Sequence, residues 1–330
     1  MRGLCFLAVA LIVSLLPSMS TGQMHSLTVG YASITVSQTL LHVVKDAGIF
    51  ARYGLKITPV LLGGGTRAAM SLVAGDVKIL FMGAPAIVNP IAQGMDAVIV
   101  AGITNRLDFA FITYPEIKKP EDLKGQTIAS GPFGSTADFY VRYLLGKWNL
   151  DPKKDVTVLQ IGIQPLRFAA LRSGQVKGTI IQPPNTLLAR KIGFHELVRA
   201  DEVDFPFQVA AVVSTRSFIK SHKGIVKDFM KALVEGIHYY KHNPGPSMGT
   251  IARHMKLDDI QLAEEAYRFY SKAVPSVPYP TIAGLRTVLD EMGRKDLQVR
   301  KLKAEDLVDV DILRELEREG FVDKLYGGKR

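Results

Sequence analysis

Apolar residues along this chain recur with two alternating periods. The runs at 27–31, 56–61, 79–82 and 97–101 are short, rich in Val, Ile and Leu, and bounded by turn residues, which predicts strands. Between them, residues 37–47 and 67–74 carry apolar side chains at helical spacing, which predicts helices. Short strands separated by helices pair in parallel through right-handed crossovers, so the pattern is that of an α/β sheet. Gly48, Gly54, Gly75 and Gly94 fall just past or between these segments, where the chain must turn.

The same pattern returns in the second third. With an offset of 99 residues (162 − 63), Gly63 pairs with Gly162, Leu72 with Leu171, Gly75 with Gly174, Val77 with Val176, Lys78 with Lys177 and Pro85 with Pro184, without a gap. The offset also sets Thr28-Val29 against Thr127-Ile128, with the intervening loops expected to differ in length. A shared strand–turn–helix–Gly–strand unit accounts for the set. Two similar α/β lobes leave a cleft between them, and open α/β sheets bind ligands at the carboxyl ends of their strands. Loops, not helix bodies, should therefore form the site.

Composition narrows the class. The 330 residues are 47% hydrophobic and 22% charged, ordinary for a globular protein long enough for two domains. The net charge of +10 is spread along the chain rather than gathered in a run, which fits solvated surface or attraction of an anionic solute and argues against nucleic acid as a partner. Met1-Arg2-Gly3, the apolar stretch 4–16 and the small residues near 17–20 read as a secretory signal peptide, residues 1–20. The single cysteine, Cys5, lies inside it, so a mature chain would hold no disulfide and no thiolate metal site.

Gly48-Ile49-Phe50-Ala51-Arg52-Tyr53-Gly54-Leu55, then Gly63-Gly64-Gly65 and Ala74-Gly75-Asp76-Val77, resemble the substrate-binding proteins of ABC transporters. The likeness is to the branch that includes sulfonate, nitrate and thiamine-pyrimidine binders. Asp122-Leu123-Lys124-Gly125-Gln126-Thr127-Ile128-Ala129 and Ala170-Leu171-Arg172-Ser173-Gly174-Gln175-Val176 match two further elements of that family; Lys78 and Lys177 depart from it, standing where Asp is common. The resemblance implies an α/β type II periplasmic-binding-protein fold with two lobes and a hinge of two chain crossings. Lobe one would comprise 26–107 and 208–330, with the C-terminal helices, and lobe two 108–207. It also implies a periplasmic monomer that binds a small solute, uses no cofactor and delivers to a permease in the inner membrane.

Four loops at strand–helix junctions are the candidate ligand contacts. Ser33 and Thr35 lie in the first, Gly64, Gly65 and Thr66 in the second, Gly83 and Ala84 in the third, and Ser135 and Thr136 follow Gly131-Pro132-Phe133-Gly134 in the fourth. Free N–H groups at a helix N-terminus attract a carboxylate, sulfonate or phosphate, and glycine lets it approach the backbone. Ser135 or Thr136 could equally do no more than cap its own helix. In lobe two, Gln164 and Gln182 offer amides that donate and accept. Arg106, beyond the strand at 97–103, could pair with an anion if it turned inward. Tyr31, Phe133 and Phe207 are the aromatics nearest these loops.

No catalytic pattern is present: no Gly-x-Ser-x-Gly elbow, no His-Glu-x-x-His, no phosphate-binding P-loop. The alternatives are an enzyme built on the same fold, of the pyrimidine-precursor or menaquinone-pathway type, or a solute-sensing partner of a receptor. The first pyrimidine-type enzyme needs a Cys-rich run that this chain lacks.

Overall fold

The computed structural model describes residues 24–199 and 206–327; the leader expected at residues 1–20 lies outside them. The first sheet is built from β1 (His25–Tyr31), β2 (Leu55–Leu61), β3 (Ile79–Gly83) and β4 (Ala97–Thr104), with α1 (Val36–Asp46), α2 (Ile49–Arg52), α3 (Gly65–Ala74) and α4 (Pro85–Ala92) between them. The chain then crosses and forms β5 (Ala110–Thr113), β6 (Thr127–Ser130), α5 (Thr136–Lys147), β7 (Thr157–Gln160), α6 (Gln164–Arg172), β8 (Gly178–Ile181), α7 (Asn185–Lys191) and β9 (His195–Val198). It returns as β10 (Ala210–Thr215), followed by α8 (Arg216–Ser221), α9 (Lys223–His242), α10 (Pro244–Met255), α11 (Ile260–Ala273), α12 (Ile282–Gly293), α13 (Asp311–Arg318) and α14 (Phe321–Tyr326).

The two five-stranded sheets have the same plan, β2-β1-β3-β10-β4 and β7-β6-β8-β5-β9. In each, the strand that arrives from the other lobe, β10 or β5, inserts antiparallel beside the third parallel strand. The offset of 99 reaches down to register. Thr28 faces Thr58 and Val29 faces Ile79 in the first sheet; Thr127 faces Thr157 and Ile128 faces Gly178 in the second. The loops differ in length, as expected: 32–35 join β1 to α1 where 131–135 join β6 to α5, and α2 occupies part of the span that 148–156 cross in lobe two. The span between paired residues is nevertheless the same in both lobes, so the offset persists through β7 and β8. The strand expected at 97–101 runs on to Thr104, since all eight of its residues find buried apolar surroundings.

Period-two alternation divides the first sheet between two cores. Ile79 and Phe81 of β3, with Val212 of β10, face the core shared with α1, α9 and α11, whereas Leu80, Met82, Ala211 and Val213 face the opposite one. That second core is continuous through the crossings, from Leu80 and Ile99 past Leu107, Phe109 and Phe207 to Phe111, Ile128 and Tyr140 in the other lobe. A third, smaller core lies on the far face of the second sheet around Ala129, Phe168, Leu171 and Ile181.

The crossings are pinned to the C-terminal segment. Gln208, wholly buried, donates from Nε2 to the carbonyls of Thr104 (3.2 Å) and Ala210 (2.8 Å) and accepts from the Thr281 N–H (2.8 Å). Asp108 accepts from the Tyr270 hydroxyl of α11 at 2.7 Å. The C-terminal helices also reach the other lobe, for Arg190 and Lys191 at the end of α7 pair with Glu265 (3.4 Å) and Asp259 (3.2 Å) of the α11 region. Among the described residues, no helix is long and apolar enough to cross a membrane.

Candidate functional site

Between the sheets, at the carboxyl ends of β1, β3, β6 and β8, lies a cavity with about 550 Å³ of empty space, part of it open to solvent. Four helices begin at its wall. Thr35, Ser37 and Gln38 open α1, Gly64 and Gly65 open α3, Ser135, Thr136 and Ala137 open α5, and Ile163 and Gln164 open α6. First-turn N–H groups have no acceptor within their own helix, and each such end carries partial positive charge. At α1, α3 and α6 no side chain caps the end.

Of the residues expected from sequence, Ser33, Thr35, Gly64, Gly65, Gly83, Ser135, Thr136, Gln164 and Gln182 come together on this wall. Several have protein partners as well. Ser135 Oγ accepts from the Asp138 N–H at 3.2 Å, so it caps α5. Gln164 Oε1 accepts from the Gln182 N–H at 2.9 Å, which fixes the exit of β8. Gln38 Oε1 accepts from the Ser33 N–H at 3.0 Å and shapes the first loop.

Three expected contacts are not part of the wall. Arg106 is exposed, its guanidinium 5.5 Å from the centre of the Phe269 ring on α11, because the crossing turns it toward the C-terminal helices. Ala84 is buried behind the wall and donates its N–H to Val209 at 3.0 Å. Thr66 is exposed and spends its hydroxyl on the Phe133 carbonyl across the cleft, at 2.9 Å. Nor do the expected aromatics line it. Phe207 is core, Phe133 stacks with Arg142, and Tyr31 packs edge-on against His42; Phe109 supplies the aromatic wall instead.

The lobes touch around the cavity, so this is a closed arrangement. A Cβ on Gly64 would lie 2.8 Å from the Pro132 ring of the other lobe, and Gly64 holds φ at +132°, so glycine is required there twice over. A Cβ on Gly83 would lie 1.7 Å from Thr136 Oγ1.

Sequence reasoning missed Ser37, Gln38, Phe109, Ile163 and Arg167. Arg167 had a readable signal: it stands with Gln164, Phe168 and Leu171 on the buried stripe of α6, at spacing i, i+3, i+4, i+7, where a charged residue is out of place. Among the described residues, no Asp or Glu lines the cavity. Asp138 spends its carboxylate on Ser130 Oγ (3.1 Å), the Gly134 N–H (3.0 Å) and Arg142 Nε (2.8 Å). Behind Gln182, burial pushes the Asp108 carboxyl up to about 6, against the opposing effect of the Tyr270 hydroxyl and the Gln182 amide. Among the described residues, no group of three or more His, Cys, Asp or Glu side chains could hold a metal ion.

Two α/β lobes with sheets of one plan, joined by two crossings and enclosing a cavity where their strand ends meet, define the periplasmic-binding-protein fold. The alkanesulfonate-binding protein SsuA from Xanthomonas axonopodis pv. citri, solved bound to MOPS, superposes with a TM-score of 0.72 at 19% identity, over 88% of this chain and 99% of that one. The periplasmic nitrate-binding protein NrtA from Synechocystis PCC 6803 gives 0.70 at 13% identity, over 90% and 89%. Residues 20–250 match the NMT1-like family, and the chain belongs to it. A Brucella abortus protein carried under a provisional binding-protein name is 24% identical over 81% of this chain and 83% of its own length.

Proposed function

We propose that this protein is the extracytoplasmic solute-binding component of an ABC importer. It captures a small polar or anionic organic solute, of sulfonate, carboxylate or pyrimidine type, between its lobes and presents the closed form to a permease in the inner membrane. The observation that carries the reading is the convergence of four helix N-termini, from both lobes, on one cavity to which none of the described residues contributes a carboxylate. The names of the similar solved proteins, an alkanesulfonate binder and a nitrate binder, support it, and the leader expected from the first 20 residues supports a periplasmic location. The solute enters the open cleft, bridges both sets of loops and shifts the hinge equilibrium toward closure. In this reading the role is binding rather than catalysis, which the binding-protein names of the similar proteins support.

A thermal-shift screen across sulfonates, carboxylates, nitrate, aromatic acids and pyrimidines tests this. A solute at a hundredfold its dissociation constant stabilises the folded chain by about 2.7 kcal/mol, a shift of a few degrees in a chain of this size. Release of a product from any of these compounds would sink the binding-only reading.

A further inference from the structure

Arg167 carries a guanidinium and yet is only 3% exposed. Its Nη1 donates to the Gly162 carbonyl at 2.6 Å and its Nη2 to the Ile180 carbonyl at 3.3 Å, while its Nε has no partner. Among the described residues, no carboxylate forms an ion pair with it, and both of its hydrogen bonds go to carbonyls. Burial lowers its pKa to about 10, which leaves it charged at neutral pH. Two carbonyls supply only partial charge, and an uncompensated buried cation is destabilising unless something else neutralises it.

The scaffold does not require this residue. At the offset of 99 the buried stripe of α3 reads Gly65, Ala68, Ala69 and Leu72 against Gln164, Arg167, Phe168 and Leu171 of α6, so lobe one builds the same helix on the same sheet with alanine in its place. The guanidinium lies at the cavity wall and reaches the loop that leads into α5, for a Cβ on Gly131 would sit 3.6 Å from Nη1. Three of its five N–H groups remain to donate, enough for the two-point grip that a planar guanidinium gives a carboxylate or sulfonate.

We propose that Arg167 is the specificity-determining residue of the cavity and that the guest supplies its missing counter-ion: the solute is a small organic molecule bearing one carboxylate or sulfonate, and an uncharged molecule of the same shape is refused. This inference rests on reading the cavity as the solute site.

Matched pairs test it: butyrate with butyramide, benzoate with benzamide, and propanesulfonate with propanesulfonamide, titrated calorimetrically into wild type, Arg167→Lys and Arg167→Met. The wild type is expected to bind the anion of at least one pair about 30-fold or more tightly than its uncharged partner. Arg167→Lys should keep part of that preference and Arg167→Met lose it. Without solute, Arg167→Met should melt at or above the wild type, because an apolar side chain of similar volume replaces a lone buried charge; a purely structural arginine would instead leave the variant several degrees less stable. That loss of stability, wild-type anion affinity in Arg167→Met, or equal binding of both members of every pair by the wild type each overturns the proposal. Should Arg167→Met fail to fold, the wild-type pairs and Arg167→Lys still decide. If only uncharged members bind, this inference falls while the solute-binding reading stands; if no member binds, charged or not, both fall.

Discussion

Gly83 offers a way to disfavour closure without touching either lobe. It ends β3, its φ is not in the left-handed region, and alanine fits its backbone. The three atoms nearest an added Cβ all belong to Thr136 of the other lobe: Oγ1 at 1.7 Å, the Cβ at 2.7 Å and Cγ2 at 3.3 Å. Rotation about χ1 can remove the first contact but cannot move the Thr136 Cβ, so Gly83→Ala must push the lobes apart. Overpacking of this kind costs about 1–3 kcal/mol. Since the clash exists only in the closed form, the whole penalty falls on that form and solute affinity should weaken by roughly 5- to 150-fold. Calorimetric titration with the solute that most raises the melting temperature measures this, while the melting temperature without solute monitors the fold. The double variant Gly83→Ala/Thr136→Gly, which removes all three atoms, should recover affinity to the level of Thr136→Gly alone, since Thr136 is itself a wall residue. Wild-type affinity in Gly83→Ala, or no recovery in the double variant, would refute the placement of this contact at the closing seam.

Two further outcomes follow from groups outside the wall. Burial, then His254 stacked beside it, lowers the His42 pKa to about 4, so the unfolded chain holds more protons between pH 4 and 6.5 and His42 favours folding increasingly as pH rises through that window. Asp108, raised to about 6, acts in the opposite sense, its contribution present below about pH 4 and lost as pH rises through 6. Relative to the wild type, stability should therefore rise less from pH 4 to 6 in His42→Phe and more in Asp108→Asn; denaturant titrations that give both variants the wild-type profile would contradict these assignments. At the outer edge, Lys191–Asp259 and Arg190–Glu265 bridge the lobes as exposed pairs, and solvent screens such pairs so that each adds little. Asp259→Asn or Glu265→Gln should weaken solute binding no more than about fivefold, an effect that disappears in about 1 M salt, where charges are screened within a few ångströms; persistence at that salt would mean the pairs do more than attract.

Much of this architecture is legible in the sequence because it is written twice. Glycines at 75 and 174, and the apolar residues after them, fix where a helix stops and the next strand starts, and the same spacing carries the strand register. The loops at the strand ends are legible for the same reason, and they meet at the cavity. What the pattern does not carry is direction at the crossings. Arg106 stands one residue beyond a polar strand exit, and only the packing of α11, more than 150 residues later, turns it away. Ser37 and Gln38 are polar residues within a helix, so spacing alone marks them as neither wall nor surface. Arg167 is different in kind, for its stripe does single it out once the helix is aligned with its counterpart in lobe one.

The apolar core that threads the crossings decides what kind of machine this is. Leu107, Phe109 and Phe207 belong to one packed mass with Leu80 on one side and Tyr140 on the other, so the two halves share an interior at the crossings and are not two beads on a string. Each half has a core of its own but owns only part of the shared one, and a gene fragment encoding one half would expose that severed surface to water.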